Sequence, residues 1–568
     1  MIVLGINGID GLFHDASATL IVDGRIVASV EEERFNRRKH SDGVPVEAIT
    51  YCLGKSGIEF ADVDHVGYNL DPDVFSRMFY HSIIEKYGCD PEKVEYYFDA
   101  SQRIRNIKEK LSESFALGDT TRFHFLNHHL AHACSAYYPS GFDRAAVLTI
   151  DGAGDRETST LYRGGPQGLE KIHDFLVYPD SLGYIYTVVA AHLGLGWIAG
   201  PGKLMGLAGF GTPNSRMFAD IIRLHDDPRR PIAIDLSFFD YYLGGHGFTA
   251  KGRHRFGDPR ADDEPFSRDH FDLAASMQAA LEDAMVHLVD QVAILLPDET
   301  DLCLAGGVTL NVSANRRILD RGLFERVFVT PPAYDSGTSL GCALYLDARN
   351  SGRSRYAFDV YCGPDVEKDY DIVAACKALD DCIQWHHLSD DALFAAAAES
   401  LAANGIVGWV QGRMECGPRA LGNRSILCNA MSQTAKDDLN ARVKKREGFR
   451  PYAPAVLQEE CGNWFDLTDS PHMMFEATVL EAVRHRVPGI VHVNGTSRPQ
   501  TVSERTNPRF YRLIRTFFDR TGVPLVLNTS FNRHGEPMVN RPEEAITVLL
   551  ETGMDDLFIG NCHVRRKP

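Results

Sequence analysis

The chain lacks several features that mark secreted, membrane-bound or nucleic-acid-binding proteins. Its 12 cysteines include no CxxC pair, which argues against a disulfide framework and against a thiolate zinc site. The N-terminus has no secretory signal pattern, and no uncharged apolar stretch is long enough to cross a bilayer. Positive charge is scarce, since 59 Lys and Arg stand against 77 Asp and Glu, for a net charge of -18. We therefore expect a cytoplasmic protein without a nucleic-acid or membrane partner.

The length and composition indicate a globular chain of more than one domain. The 568 residues suffice for at least two domains, and 44% hydrophobic and 24% charged residues are ordinary for a soluble protein. Residues 347–355 (DARNSGRSR) are polar and contain glycine and serine, which is typical of a linker. We predict domains at residues 1–352 and 353–568, and a homodimer only because dimers are the commonest oligomers.

Two segments show the same order of predicted elements. Residues 1–7 form an apolar strand pattern, followed by a Gly/Asp loop and two alternating strands joined by Asp23-Gly24, which is a strong hairpin signal. Residues 145–150, the loop 151–155 and the strand patterns 157–163 and 169–176 follow the same order. The repetition predicts a duplicated α/β unit, with a chance similarity of two short segments as the alternative.

A pair of histidines in the first domain has the spacing of metal ligands. A helix would place His128 and His132 on one face, one turn apart, and Asp151 follows a predicted buried strand that could deliver a third ligand. Asp335 could complete the site, although it could also belong to a helix N-cap region. Two imidazoles and a carboxylate suit Fe, Mn or Zn with open positions for an oxygen ligand. The alternative is that the histidines form the polar face of an ordinary helix.

The second domain contains a local excess of positive charge. Nine basic residues stand against four acidic ones between residues 411 and 450. Several lie among glycines and prolines in predicted loops, which favours a pocket for phosphate or carboxylate groups. We assign Arg419, Lys444 and Arg450 to that pocket, with Arg498 as a further phosphate clamp. A surface stripe of salt bridges is the interpretation we favour for three others, namely Lys436, Lys445 and Arg446.

Glycine loops follow two of the strands predicted in the first domain. Gly152 follows the strand 145–150, and Gly306-Gly307 follows the strand 301–305 and precedes a helix through Asn315 and Arg316. Glycines allow close approach of a ligand, and a helix start offers free N-H groups. The layout resembles the superfamily of actin, the heat-shock chaperone ATPases and acetate kinase, in which a nucleotide lies between duplicated halves.

Motifs along the whole chain resemble the O-carbamoyltransferases of antibiotic biosynthesis, of the nebramycin (tobramycin) type, with their nodulation and cephalosporin relatives. Eight motifs carry the resemblance: Phe13-His14-Asp15-Ala16-Ser17, Glu31-Glu32-Glu33-Arg34-Phe35 with Lys39-His40, Asn127-His128-His129-Leu130-Ala131-His132-Ala133, Asp151-Gly152-Ala153-Gly154, Gly306-Gly307-Val308, Cys416-Gly417-Pro418-Arg419-Ala420-Leu421-Gly422, Phe449-Arg450-Pro451-Tyr452-Ala453-Pro454 and Leu527-Asn528-Thr529-Ser530-Phe531-Asn532.

The resemblance implies a two-site enzyme. A C-terminal domain similar to the YrdC fold would form carbamoyl-adenylate from carbamoyl phosphate and ATP with Mg²⁺, using Arg419, Lys444, Arg450, Arg498, Asn528 and Ser530. An N-terminal domain similar to the TsaD (Kae) fold would transfer the carbamoyl group to a hydroxyl, with His14 as the catalytic base. The family pattern places Fe²⁺, or another divalent metal, on His128, His132, Asp151 and Asp335. It also implies nucleotide contacts in this domain from Lys39, Gly152, Gly306, Gly307 and Asn311.

The acceptor is a small molecule that the sequence does not name. We expect a sugar hydroxyl on a secondary metabolite, with Asp10 and Asp240 as acceptor contacts. One alternative is a threonylcarbamoyl-adenylate enzyme of tRNA modification, against which the net charge of -18 counts. The other is a non-catalytic, nucleotide-gated protein of the actin and chaperone kind. His14 has its own alternative as a residue that only caps a backbone group.

Overall fold

The computed structural model describes residues 1–9, 14–78, 99–243, 245 and 247–567. Asp10, one of the expected acceptor contacts, lies outside these residues. The chain divides into two compact units, the first formed by Met1–Glu32 with His40–Phe358 and the second by Glu33–Lys39 with Asp359–Pro568. The division after Phe358 falls a few residues beyond the predicted boundary. The assignment of Glu33–Lys39 to the second unit has no counterpart in the sequence prediction.

The described strands are β1 Ile2–Asn7, β2 Ser17–Val22, β3 Arg25–Glu31, β4 His65–Tyr68, β5 Arg122–Phe125, β6 Ala145–Ile150, β7 Glu157–Gly165, β8 Gly168–Val177, β9 Ile222–Leu224, β10 Ile232–Ile234, β11 Asp301–Ala305, β12 Arg326–Val329, β13 Ile383–His387, β14 Val407–Val410, β15 Arg424–Cys428, β16 Ala453–Leu457, β17 Ala477–Thr478, β18 Thr496–Ser497, β19 Gln500–Val502, β20 Leu525–Ser530, β21 Asp556–Ile559 and β22 Cys562–Arg566.

The described α-helices are α1 Glu33–Asn36, α2 Val46–Gly54, α3 Pro72–Met78, α4 Ile107–Ser112, α5 His128–Tyr137, α6 Leu182–His192, α7 Gly200–Ala208, α8 Ala250–Phe256, α9 Arg268–Leu295, α10 Val312–Asp320, α11 Ser336–Ser351, α12 Ile372–Ala378, α13 Asp390–Ala402, α14 Ala435–Leu439, α15 Cys461–Trp464, α16 Glu481–Arg484, α17 Pro508–Thr521 and α18 Pro542–Glu551. None of the described helices combines the length and the apolar character needed to cross a membrane.

The first unit contains two five-stranded sheets of the same topology. One has the order β3-β2-β1-β4-β5 and the other β8-β7-β6-β11-β12. In each sheet the first three strands in chain order pair antiparallel, each with the next. The fourth strand pairs parallel with the first, and the fifth pairs parallel with the fourth. The predicted duplication is therefore confirmed. The hairpin turn at Asp23-Gly24 is confirmed as well, since both residues have positive φ, as the turn requires.

Helices α5 and α11 pack with their backbones almost in contact. A Cβ atom on Gly341 of α11 would lie 1.8 Å from the carbonyl oxygen of Ala131 in α5. Only glycine fits at this position, and the close approach brings the N-terminal end of α11 beside the histidine face of α5. Helix α11 continues to Ser351, so the prediction that residues 347–355 form a linker is wrong for its first half. The helix ends at Gly352, which adopts the left-handed conformation of a C-cap.

The second unit is built on a mixed eight-stranded sheet of order β13-β22-β21-β14-β15-β20-β16-β19. Strand β20 ends at Ser530, so Asn528 and Ser530 lie within it. A π-helical segment, Asn440–Lys444, follows α14. The segment Glu33–Lys39 is held within this unit by its arginines, because Arg34 donates to the carbonyl of Gly417 and Arg37 donates to the carbonyls of Pro537 and Met538.

Candidate active site

Four side chains of the first unit meet in the geometry of a metal site. The Nε2 atoms of His128 and His132 lie 3.1 Å apart. Asp151 Oδ2 lies 3.5 and 4.0 Å from these two nitrogens, and Asp335 Oδ1 lies 3.7 and 3.6 Å from them. Donors that share one ion at about 2.0–2.2 Å must lie within about 4.4 Å of one another, and these distances satisfy that limit. The four residues that the sequence predicts as ligands therefore fit a divalent ion.

The two duplicated halves each supply part of this cluster. Helix α5, capped by the Asn127 side chain, presents both histidines on one face, and Asp151 follows directly after β6. Asp335 stands at the start of α11, and its side chain makes no capping hydrogen bond. Asp335 therefore occupies the N-cap position that the alternative interpretation gave it, while its carboxylate lies toward the histidines.

Charges within the cluster attract one another across a buried space. Burial disfavours the charged imidazole of His128, but the carboxylates of Asp151 and Asp335 outweigh it and raise its pKa to about 9. Burial also opposes ionisation of Asp151, yet the neighbouring histidines hold its pKa below the ordinary value. The third histidine of the motif, His129, points elsewhere, because its Nδ1 lies 2.7 Å from the Thr149 hydroxyl. Burial lowers the pKa of His129 to about 3, so it remains neutral.

His14 belongs to a chain of three polar side chains. Its Nδ1 lies 2.6 Å from Asp15 Oδ2, and the other oxygen of Asp15 lies 2.7 Å from His40 Nδ1. The His14 side chain is 44% exposed. Burial opposes its charged form, but the carboxylates of Asp15, Asp335 and Asp151 raise the pKa of His14 to about 9. An imidazole held at Nδ1 by a carboxylate keeps Nε2 for a reacting group, as a general base requires.

The predicted glycine and asparagine positions have identifiable structural roles. Gly306 has φ +93°, and a Cβ there would lie 2.2 Å from the carbonyl oxygen of Ile150, so the close contact is with the chain itself. The N-H of Gly307 donates to Asp151 Oδ1 at 2.6 Å and so orients a proposed ligand. The carbonyl of Gly152 accepts from the Ser181 hydroxyl. Asn311 caps α10 and hydrogen-bonds to Gln278.

The second unit contains a cluster of positive side chains, here called the cation cluster, formed by Arg419, Lys444, Arg446, Arg450 and Arg498. Burial and the charges of Arg446, Arg450 and Lys39 hold the pKa of Lys444 well below its ordinary value. Burial and the charges of Arg419, Arg446 and Arg450 do the same for Arg498. Like charges at such proximity disfavour one another, so the cluster is suited to an anion that neutralises it.

Predicted polar residues of β20 lie beside this cation cluster. Lys444 donates to the Ser530 carbonyl, and its Nζ lies 2.6 Å from Asn532 Oδ1. Asn528 donates to the Ala420 carbonyl at 3.1 Å, next to Arg419. Within the described part of the chain, the Asn528 Oδ1, the Arg446 Nε and the Arg498 Nε are buried atoms without a hydrogen-bond partner. Such atoms mark places where a ligand could complete the hydrogen bonding.

Three residues of this unit differ from the sequence prediction. Arg446 was expected on a surface stripe, but it is half-buried, lies 4.1 Å from the centre of the Tyr452 ring and has its pKa lowered to about 10, chiefly by burial. That expectation is also wrong for Lys436, which donates to the Val491 carbonyl, whereas Lys445 is exposed as expected. Lys39, expected in the first domain, belongs to the second unit and lowers the pKa of Lys444. Asp240, by contrast, accepts from the Gly247 N-H within its own loop.

Comparisons with known proteins agree with these features. The family description "Carbamoyltransferase N-terminus" matches residues 5–344, and "Carbamoyltransferase C-terminus" matches residues 398–566. The nodulation protein NolNO of Sinorhizobium fredii is 37% identical over 98% of this chain and 79% of its own length. The 3'-hydroxymethylcephem-O-carbamoyltransferase of Streptomyces clavuligerus is 36% identical over 48% of this chain and 50% of its own. Full-length HypF in its phosphate- and nucleotide-bound form has a TM-score of 0.33 at 12% identity over 62% of this chain and 56% of its own, too low to support an argument.

The matches to both family descriptions, over residues 5–344 and 398–566, identify the chain as a group-transfer enzyme. The chain belongs to the carbamoyltransferase family, and it is a carbamoyltransferase.

Proposed function

We propose that this enzyme is an ATP-dependent O-carbamoyltransferase with two reaction sites. The first and second units would correspond to the TsaD (Kae) and YrdC folds. The observation that carries the proposal is the cation cluster of the second unit, where burial and the neighbouring cations hold the pKa values of Lys444 and Arg498 below their ordinary range. Five cationic side chains match the charge of nucleotide and acyl phosphates much better than that of a neutral acceptor.

In the first reaction, carbamoyl phosphate and ATP would give carbamoyl-adenylate. Water cleaves carbamoyl phosphate to carbamate and phosphate, and a carbamate oxygen then attacks the α-phosphorus of ATP, so that the bond to the leaving pyrophosphate breaks. Arg419, Lys444, Arg450 and Arg498 would bind phosphate oxygens, with Mg²⁺ accompanying ATP. Asn528 and Ser530 would contact the carbamoyl group, and the free Oδ1 of Asn528 is an acceptor suited to its amide N-H.

In the second reaction, the acceptor hydroxyl would attack the carbamoyl carbon, the bond from that carbon to the phosphate oxygen would break, and AMP would leave. His14 would take the hydroxyl proton at Nε2, while Asp15 holds Nδ1. His128, His132, Asp151 and Asp335 would hold Fe²⁺ or another divalent ion. Such an ion supplies Lewis-acid polarisation and offsets negative charge at the leaving phosphate.

The acceptor that we propose is a hydroxyl of a secondary metabolite, on a sugar ring. A related protein is named for O-carbamoylation of a hydroxymethylcephem, which supports a small-molecule alcohol as acceptor for this chain. Asp240 remains a proposed acceptor contact. The net charge of -18 favours such an acceptor over tRNA.

Two assays test this function. The purified chain, given ATP, Mg²⁺ and carbamoyl phosphate, should release pyrophosphate, and Arg498→Ala should lose that release because it removes a phosphate contact. The control is Lys445→Ala, which alters the exposed lysine next to Lys444. This variant should release pyrophosphate normally. A panel of sugar-bearing alcohols should then yield at least one product heavier by one carbamoyl group. Pyrophosphate release that does not require carbamoyl phosphate would refute the proposal.

A further inference from the structure

Both ring nitrogens of His128 contact other side chains, and the two contacts as placed favour opposite positions for the imidazole proton. Its Nε2 faces His132, Asp151 and Asp335, whereas its Nδ1 lies 3.3 Å from the side-chain amide of Asn69. A histidine that binds a metal through Nε2 must carry its proton on Nδ1, so Nδ1 needs a hydrogen-bond acceptor. Asn69 is 1% exposed, and His128 is equally buried, so water does not readily supply that acceptor.

The orientation of the Asn69 amide determines where His128 carries its proton. With Nδ2 placed toward His128, the Oδ1 of Asn69 is a buried acceptor without a hydrogen-bond partner. An NH₂ group directed at Nδ1 would force the imidazole proton onto Nε2, among the other three ligands. The amide oxygen and nitrogen are interchangeable in shape, and the exchanged orientation, with the oxygen toward His128 and the NH₂ group where Oδ1 was, meets the requirement of a metal-binding imidazole. The oxygen then accepts the Nδ1 proton and the Nε2 lone pair faces the cluster.

The surrounding structure holds Asn69 at this position. Asp155 accepts hydrogen bonds from the backbone N-H of His128, at 2.6 Å, and from that of Asp71, two residues after Asn69. Asp155 therefore ties the loop after β4 to the first turn of α5. The same carboxylate accepts from the side chain of Asn127, the N-cap of α5, at 3.1 Å. This tie holds the amide against the ring through backbone groups and the Asn127 side chain, without using the atoms proposed to bind the metal.

His132 provides the contrast. Its Nδ1 is buried and, among the described residues, has no hydrogen-bond partner. The two histidines of the motif thus differ, since one has a side chain that can select its tautomer and the other has none.

We propose that Asn69 is a positioning residue that fixes the tautomer of His128 through its side-chain oxygen and so prepares the Nε2 atom to bind a divalent ion. This inference rests on the metal site of the proposed function. Residues that hold the second nitrogen of a metal-binding histidine change metal affinity by about 10- to 100-fold when they are removed. Among the described residues, the Asn69 side chain has its hydrogen-bond contact with the His128 ring, so its effect passes through His128.

The test is a Co²⁺ titration of the chelator-treated, full-length protein, with a chromophoric chelator as competitor. Asn69→Ala removes the acceptor and should weaken Co²⁺ binding about 10- to 100-fold. Asn69→Asp keeps an acceptor and should bind Co²⁺ at least as tightly as the wild type. Asn315→Ala deletes another buried asparagine of the same unit, whose amide donates to the Thr309 carbonyl, and should leave the affinity unchanged.

Each outcome decides between the possibilities. Wild-type affinity in Asn69→Ala, or equal weakening in Asn69→Asp and Asn69→Ala, overturns the tautomer role while the metal site stands. Equal weakening in Asn315→Ala also overturns it, because the loss then reflects general loosening of the unit. A wild-type protein that binds no Co²⁺ overturns both the metal site and this inference. Thermal unfolding of the metal-free variants, followed by circular dichroism, verifies that each one folds.

Discussion

Individual side chains in both units have charges that depend strongly on their neighbours. The pKa of His14 is raised to about 9 by three carboxylates that outweigh burial, whereas burial and nearby cations hold the pKa of Lys444 well below its usual range. Shifts of this kind are common where catalytic or ligand-binding groups meet. The family resemblance identified His14 and the local charge excess identified Lys444. Neither indicated the pKa shifts, to which residues far along the chain contribute, such as Asp335 for His14 and Lys39 for Lys444.

Asp15→Asn should slow carbamoyl transfer by about 10²-fold or more, because the amide no longer fixes the proton of His14 on Nδ1. Asparagine tolerates the left-handed backbone of Asp15, whose φ is 63°, so the loop itself should be unaffected. The measurement is the initial rate of product formation with the acceptor found in the panel. Pyrophosphate release should remain normal in the same variant. Transfer at the wild-type rate would refute the orienting role of Asp15.

Binding of pyrophosphate to the second unit should take up a proton at Lys444. The free-state pKa of Lys444 is lowered, and an anion raises it again, so affinity should be full below the free-state pKa and should fall as pH rises from that value toward the bound-state pKa. Calorimetric titrations in two buffers of different ionisation enthalpy measure the proton count directly. Lys444→Arg keeps a permanent charge and should show less proton uptake. An identical count in wild type and variant would exclude Lys444 as the proton acceptor.

At the scale of secondary-structure elements, local pattern predicted the parts and long-range contact determined their assembly. The strand at residues 145–150 and the Asp23-Gly24 hairpin were predicted at the observed positions because apolar runs and turn residues are local signals. The length of α11 was not predicted, since residues 347–351 have a mainly polar composition that is typical of a linker, although Asp347 and Ala348 are buried. The contact of Asn69 with His128 was also missed, because it depends on Asp155, 84 residues from Asp71.

Gly306→Ala should destabilise the first unit by several kcal/mol. The substitution combines a backbone conformation that only glycine adopts easily, costing about 1–3 kcal/mol, with a clash 2.2 Å from the Ile150 carbonyl oxygen. Gly257→Ala is a matched control, because Gly257 has a similar φ of 85° and nothing within 4 Å of the added Cβ. Urea unfolding of both variants separates the two effects. Equal losses of unfolding free energy would show that the contact with Ile150 contributes nothing.

Arg37→Ala should release the segment Glu33–Lys39 from the second unit. The guanidinium of Arg37 donates to the carbonyls of Pro537 and Met538 and lies 3.3 Å from the Glu544 carboxylate, so its removal deletes the charge-assisted contacts of the segment at that end. Amide hydrogen exchange of the segment should accelerate. The exposed neighbour provides the control, because Arg38→Ala should leave exchange unchanged. Unaltered exchange in Arg37→Ala would show that other contacts hold the segment.

For the whole molecule, the duplicated first unit and the separate second unit were both predictable from sequence order. The contribution of residues 33–39 to the second unit was not, since no local pattern marks a segment that leaves one unit and joins another. The four candidate metal ligands were named from sequence because HxxxH spacing, an aspartate after a predicted strand and an acidic loop before a predicted helix are local features. The half-buried position of Arg446 was not, because its partner ring and its neighbouring cations come from other loops.

We propose that one chain makes carbamoyl-adenylate and then consumes it at His14. The most direct measurement is mass spectrometry of quenched reactions of His14→Asn with ATP, Mg²⁺, carbamoyl phosphate and the acceptor. We expect the variant to form pyrophosphate and carbamoyl-adenylate without a carbamoylated product, because it retains the cation cluster and lacks only the base. A His14→Asn protein that carbamoylates the acceptor at the wild-type rate, or that forms no adenylate while the wild type turns over, would contradict it.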